Sequence, residues 1–356
     1  MENKKILSIL HALFCIWLYL VCQATAFARS TLRPDDPTIP QLTIWQTDKP
    51  QKKYRLIDTH LEPYPIFEVF DPKHFKKKLL PNTTISYRYD PKKNIQAHIL
   101  SRLIEELLIE IKQRKKNFSD FTIISSKNFN RRKGIGMMVV KFKEYPFIFK
   151  LYIESPKTFI NPFGKGLDNI WFFSMGGGTN RHIAGLTRIK NLDLVQERLD
   201  NNQELSEQFG VPRKWHWLPE KSTWLEIEGR MQSKTLKTKI PAVFGIIADA
   251  IEGHNDLSLF NEKHTSIVLG LTNYLEHIID SHIDNFMLEP KTKKIIIIDT
   301  EHFPSVVGIK EKVTFNNYIE WFSYLMNRCA KNWFFRTKKD RLIAQTVPHG
   351  NALKRT

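Results

Sequence analysis

Apolar and polar residues follow two different periods along this chain. From Asn94 to Lys116 the apolar positions Ile99, Leu103, Leu107 and Ile111 recur at helical spacing, which predicts an amphipathic helix within 94–120. Its basic end complements the helix dipole. From residue 121 the period shortens. Phe121-Thr122-Ile123-Ile124 reads as a strand. The runs Met137 to Phe142 and Phe147 to Ile153, separated by Lys143-Glu144-Tyr145-Pro146, predict an antiparallel hairpin. A helix is expected over 181–200, short strands over 214–218 and 223–228, and a second helix over 262–279. A loop at 280–286, a hairpin at 286–299 and a helical part from about 314 complete the pattern.

Strands with one helix first, then mostly helices, predict an α+β fold of two lobes: a small antiparallel β lobe and a mainly helical one. The lobes are expected at 121–229 and 230–345, joined near Glu228-Gly229, with a tail at 346–356. Residues 29–93, rich in Pro, Lys and Asp, predict an irregular extension.

Residues 1–28 change the picture of where the protein works. Lys4 and Lys5 precede a nearly unbroken apolar run from Ile6 to Cys22, and Ala26-Phe27-Ala28 supplies small residues before Arg29. This is the pattern of a cleaved secretory signal; an uncleaved anchor is the alternative reading. Cys15 and Cys22 leave with that segment, so the exported chain keeps Cys329 alone and forms no internal disulfide. The 42% hydrophobic content excludes global disorder. A net charge of +17 directs attention to anionic partners, a membrane surface or phosphorylated ligands. Trp215 and Trp217 alternate on a strand in the manner of core residues, which argues against nucleic acid.

The chemistry concentrates in 279–303. Asp280 and Asn285 lie five residues apart just beyond a helix. Asp299 closes the apolar run Ile295-Ile296-Ile297-Ile298, and the Glu289-to-Lys294 turn folds it back beside the first loop. Phosphoryl transfer needs a carboxylate for the acceptor hydroxyl, oxygen ligands for Mg²⁺, and a cation on the phosphates. Lys150, a charge embedded in the strand Phe147 to Ile153, is expensive to bury without an anion. Gly134 and Gly136 precede the hairpin and can approach phosphates, or form an ordinary loop. No zinc-type Cys/His spacing and no P-loop occurs.

Asp280-x-His282-x-x-Asn285, followed by an apolar strand ending in Asp299, resembles the catalytic and metal-binding segments of the phosphatidylinositol 3- and 4-kinase group. The loop pattern D-x-H-x-x-N is matched at its three fixed positions. The Phe-Gly that follows the metal-binding Asp in that family is Thr300-Glu301 here, and the Arg after the first loop Asp is Ser281. The ordinary protein kinase pattern would require Asn at 289, where Glu289 stands. The resemblance implies a protein kinase-like fold, ATP and Mg²⁺ as cofactors, and a phosphoinositide or protein substrate. It implies Asp280 as catalytic carboxylate assisted by His282, Asn285 and Asp299 as metal ligands, and Lys150 as the phosphate-contacting amine. A carboxylate partner for Lys150 is then expected from the 181–200 helix, with Glu197 the candidate. An inactive kinase-like binding module and a small-molecule kinase remain open as alternatives.

Overall fold

The computed structural model describes residues 38–58, 67, 70–160, 177–231, 234–253, 257–307, 309, 311–335 and 341–346. The signal segment expected at 1–28 and the tail expected at 346–356, apart from Thr346, lie outside them. In chain order the elements are β1 (Gln41–Gln46), β2 (Lys49–Asp58), α1 (Pro72–Lys77), β3 (Thr84–Ser86), β4 (Asn94–Gln96), α2 (Ala97–Lys112), β5 (Phe121–Ser125), β6 (Phe129–Asn130), β7 (Ile135–Phe142) and β8 (Phe147–Ile153). Then come α3 (Pro156–Ile160), α4 (Gly177–Asp200), α5 (Gln203–Gln208), β9 (Phe209–Gly210), β10 (Lys214–Trp217), β11 (Trp224–Met231), β12 (Lys234–Pro241) and β13 (Val243–Asp249). The chain ends with α6 (Glu262–Tyr274), a 3₁₀ turn (Ile283–Asn285), β14 (Phe286–Glu289), β15 (Lys294–Ile297), α7 (Phe303–Val307), α8 (Tyr318–Phe335) and β16 (Arg341–Thr346). The class is mixed α+β.

One sheet carries the hairpin expected at 137–153, in the order β10-β13-β8-β7-β5, with β6 pairing β7 at one end. Strand alternation gives it two buried faces. Phe147, Phe149 and Leu151 of β8 point to the side covered by Leu100, Leu103, Ile104, Leu107 and Ile111 of α2. Tyr152, of the other parity, points to the side covered by Ile183, Leu186 and Ile189 of α4. Lys150 shares that parity and therefore faces α4.

A second sheet has the order β12-β11-β1-β2-β16. Its inner residues Leu42, Ile44, Leu225, Ile227 and Ile240 join the α4-side core. Its outer face carries the ion pairs Lys237–Glu228 (3.3 Å) and Lys239–Glu226 (3.4 Å). Helix α4 reaches three cores: Ala184 packs with Phe303, Trp321 and Leu325, and Val195 and Leu199 with Leu271, Ile279 and Phe286. A helix used on several sides carries apolar residues around much of its circumference rather than along one stripe.

Several expectations are corrected here. Glu228 and Gly229 lie inside β11, hydrogen-bonded to β1 and β12 on either side, so they are no linker. Residues 29–93 contain the regular strands β1 and β2, paired antiparallel. Helix α2 ends at Lys112, and Arg114 takes the left-handed conformation (φ 59°) that terminates it. Helix α6 stops at Tyr274, before 279, because Glu276 and His277 are left-handed (φ 53° and 52°). After α8 the chain returns as a strand, β16, against β2.

Candidate functional site

The loop after α6 is built by its own polar side chains. Ser281, fully buried, donates to Thr272 Oγ1 (2.8 Å) and lies 3.3 Å from His277 Nδ1. His277 Nε2 in turn meets Asn273 Oδ1 at 2.7 Å. Ser281 thus anchors the loop to α6. His282 accepts the Asp284 N–H at 3.3 Å and caps the 3₁₀ turn, with its ring 3.6 Å from the exposed Asp284 carboxylate. The Asn285 side-chain amide donates to the Asp280 carbonyl at 3.4 Å, which leaves Asn285 Oδ1 for other use.

The hairpin then delivers Asp299. Phe286 pairs with Ile297 across β14 and β15, and the Ile298 N–H donates to the Asn285 carbonyl at 2.9 Å. Asp299 therefore follows directly on the residue bonded to Asn285. Its Oδ2 accepts from Lys150 Nζ at 3.0 Å, and its Oδ1 pairs with Arg188 of α4. Residues 149 positions apart in sequence thus meet.

Two further cations complete the cluster. Arg188 also pairs with Glu301 at 2.6 Å. Lys214, 6% exposed on β10, donates to the Ile298 carbonyl (3.1 Å) and to Thr300 Oγ1 (2.8 Å). Thr300 Oγ1 itself donates to the Arg188 carbonyl at 2.7 Å, and Asn191 Nδ2 donates to the Thr300 carbonyl at 3.1 Å. So Thr300 and Glu301, the two departures from the family pattern, are both engaged by residues of α4 and β10.

The electrostatics are those of a site with surplus positive charge. Burial, then the Arg188 charge, press the Lys150 amine below its ordinary range, with Glu301 opposing. Lys214 is lowered by burial and by Lys150 and Arg188, again against Glu301. Asp280 is pushed up to about 7, first by burial, then by the Glu301 charge, against the His282 N–H and the Asn285 amide. A carboxyl near neutrality can hold or release a proton at physiological pH.

Other expected residues stand apart. Glu197 is exposed on α4, and the carboxylate paired with Lys150 is Asp299. Gly136 lies opposite Ile153, three residues from Lys150 along β8, or about 10 Å. A Cβ on Gly134 would sit 3.6 Å from Ile111 Cγ2, so this glycine packs toward α2, on the face away from Lys150. Both glycines hold positive φ (63° and 117°), which explains their identity without a ligand.

Neither Arg188 nor Lys214 is among the site residues expected from the sequence. Lys214 carries the same signal as Lys150, a charge in an otherwise buried strand. Arg188 carries none, since helices hold arginines routinely.

Among the described residues, no group of three or more His, Cys, Asp or Glu side chains is gathered to hold a metal ion. The candidate donors at this site are one carboxylate, Asp299, both of whose oxygens are paired with Lys150 and Arg188, and one amide oxygen, Asn285 Oδ1, brought near by the Ile298 N–H bond to the Asn285 carbonyl. Mg²⁺ bound with a nucleotide takes one or two carboxylates and fills its remaining positions with phosphates and water, so the donor types fit it once the two cations turn to the phosphates. Also among the described residues, no helix is long and apolar enough to cross a membrane. Compared with family models, curated proteins and solved structures, the chain has no match.

Proposed function

We propose that this chain is an exported, Mg-ATP-dependent phosphotransferase with a two-lobed kinase-like fold, acting on a phosphoinositide headgroup or a protein hydroxyl. The observation that carries the reading is the ion pair between Lys150 and Asp299 beside the Asp280–Asn285 loop. In this reading Lys150 and Arg188 exchange the Asp299 carboxylate for the phosphates of the nucleotide. Asp299 and Asn285 Oδ1 would hold a Mg²⁺ ion, which would supply neutralisation of the phosphate charge. Asp280, poised near neutrality, accepts the proton of the acceptor hydroxyl. His282 assists by fixing the turn that carries Asn285. The basic surface suits an anionic membrane as well as a phosphorylated substrate. An export signal on an ATP user fits delivery into a compartment that contains ATP.

The cluster of Lys150, Lys214 and Arg188 supports a nucleotide independently of any sequence motif. Three cations face two carboxylates, and the charged forms of both lysines are disfavoured first by burial and then by the neighbouring cations. A triphosphate relieves that repulsion. A second reading, a kinase-like module that binds nucleotide without turnover, draws on the engagement of Thr300 and Glu301 by Lys214 and Arg188.

The test incubates the purified chain with Mg²⁺ and γ-labelled ATP against lipid vesicles, proteins and small alcohols. Label transferred to one class by the native protein and lost with Asp280→Asn supports the phosphotransferase. Nucleotide binding with no transfer to any class favours the second reading.

A further inference from the structure

On the opposite face of the β8 sheet lies a cleft of 810 Å³ that the phosphotransferase reading does not use. Ile153 lines it, and being three residues from Lys150 on one strand it points away from that side chain. The cleft runs between the end of α2, the turn from β6 to β7, and the segment joining β10 to β11.

Its charge is one-sided. Seven Lys and Arg side chains line it, among them Lys112 at the end of α2 and Arg114 beyond it, Arg131, Arg132 and Lys133 in the turn, and Lys221 across from them. Among the described residues none of the seven forms an ion pair. Some lysines elsewhere on the surface are paired with a carboxylate, as in Lys291–Glu252 (3.0 Å) and Lys239–Glu226 (3.4 Å). Three glutamates also reach the cleft. Glu105 accepts the Glu220 N–H at 2.9 Å, and Glu154, 4% exposed, accepts the Ser155 N–H at 3.1 Å and the Thr158 hydroxyl. Glu105 and Glu154 are thus held by these hydrogen bonds, and the third is the exposed Glu220.

The basic turn is fixed in place. Gly134 and Lys133 donate backbone N–H bonds to the Asn130 carbonyl (2.8 and 3.1 Å), Asn130 Oδ1 accepts a second bond from Lys133 N (3.0 Å), and Arg131 reaches the Lys116 carbonyl (3.2 Å). The lining contains no Phe, Tyr, Trp or His, so bases have no stacking platform. The volume suits a compact ligand rather than an extended chain.

We propose that this cleft binds a compact, multiply phosphorylated anion of the inositol phosphate class, free or as a lipid headgroup. The site is independent of the phosphotransferase reading. The test uses the full chain with inositol hexakisphosphate by titration calorimetry, and vesicles containing phosphatidylinositol 4,5-bisphosphate by cosedimentation. The cleft variant carries Arg131→Gln, Arg132→Gln and Lys133→Gln, all exposed. A charge-matched variant carries Lys76→Gln, Lys77→Gln and Lys92→Gln, none of which lines the cleft. Binding of either probe by the native chain, weakened roughly tenfold or more in the cleft variant and unchanged in the charge-matched one, is the expected result. Binding of vesicles alone assigns the lipid source, and of hexakisphosphate the soluble one. No binding of either probe, equal loss in both charge variants, or displacement by a polyuridine oligomer at matched charge overturns the proposal.

Discussion

Replacing Asp280 by Asn is expected to stabilise the protein, increasingly so as pH rises. The folded state raises this carboxyl from 3.8 to about 7, chiefly by burial. Below pH 3.8 the group is protonated both folded and unfolded, and the fold bears no penalty. Between 3.8 and 7 the unfolded chain ionises and the folded one does not, so stability is lost as pH rises. Above 7 the deficit levels off at about 4 kcal/mol, an upper bound since Asp280 keeps a partial opening to solvent. At pH 5 the corresponding deficit is about 2 kcal/mol. The amide never ionises, so the advantage of Asp280→Asn should grow by about 1–3 kcal/mol between pH 5 and pH 8. Urea denaturation of both proteins across that range measures the difference, in which titrations common to both cancel. A difference that stays flat, or that moves against the variant as pH rises, refutes the burial of Asp280 and its role as a base poised near neutrality.

Other substitutions probe the surroundings. Arg188→Met leaves Glu301 without its cation and Asp299 with Lys150 alone, and should cost about 3 kcal/mol; Arg188→Lys should recover part of it, and no change in denaturation midpoint would count against the pairing. His216 stacks on Phe75 at 4.2 Å with neither ring nitrogen hydrogen-bonded, and burial lowers it to about 3. The folded state thus excludes a proton that the unfolded chain binds below pH 6.5, and stability falls as pH drops from there toward 3. His216→Leu should flatten the acid limb of stability against pH by about one proton, or ~1.4 kcal/mol per pH unit. At Gly245, beside Leu151 of β8, an added Cβ would overlap the Phe149 ring. Gly245→Ala should therefore cost about 1–3 kcal/mol or more by thermal denaturation, and an unaltered transition would contradict the packing.

The parts of the site that lie close in sequence were legible there. Asp280, Asn285 and Asp299 are joined by one tight hairpin, so spacing alone brings them together. Lys150 was legible because a cation in an apolar strand needs an anion. Lys214 carries the same signal, but in a short strand whose alternating Trp215 and Trp217 read as core residues. Glu197 is a carboxylate on the right helix, but nine residues separate it from Arg188. At 3.6 residues per turn that is two and a half turns, which puts it on the opposite face. The regularity of β1 and β2 was not legible although they pair with each other, because Lys, Arg and Gln on the outer face mask the alternation and their other neighbours, β11 and β16, are remote in sequence. The expected joint at Glu228-Gly229 failed for the same reason, since a glycine reads as a break until its neighbouring strands are known. Gly229 instead allows the close approach of Phe67 and Leu42.

The most direct measurement is the affinity of the native chain for ATP, by calorimetry, with and without Mg²⁺, repeated with Asp299→Asn. The arrangement of Lys150, Asp299 and Asn285 predicts binding strengthened by the metal in the native chain and loss of that metal dependence in the variant. An affinity indifferent to Mg²⁺, or the same response in both proteins, would contradict it.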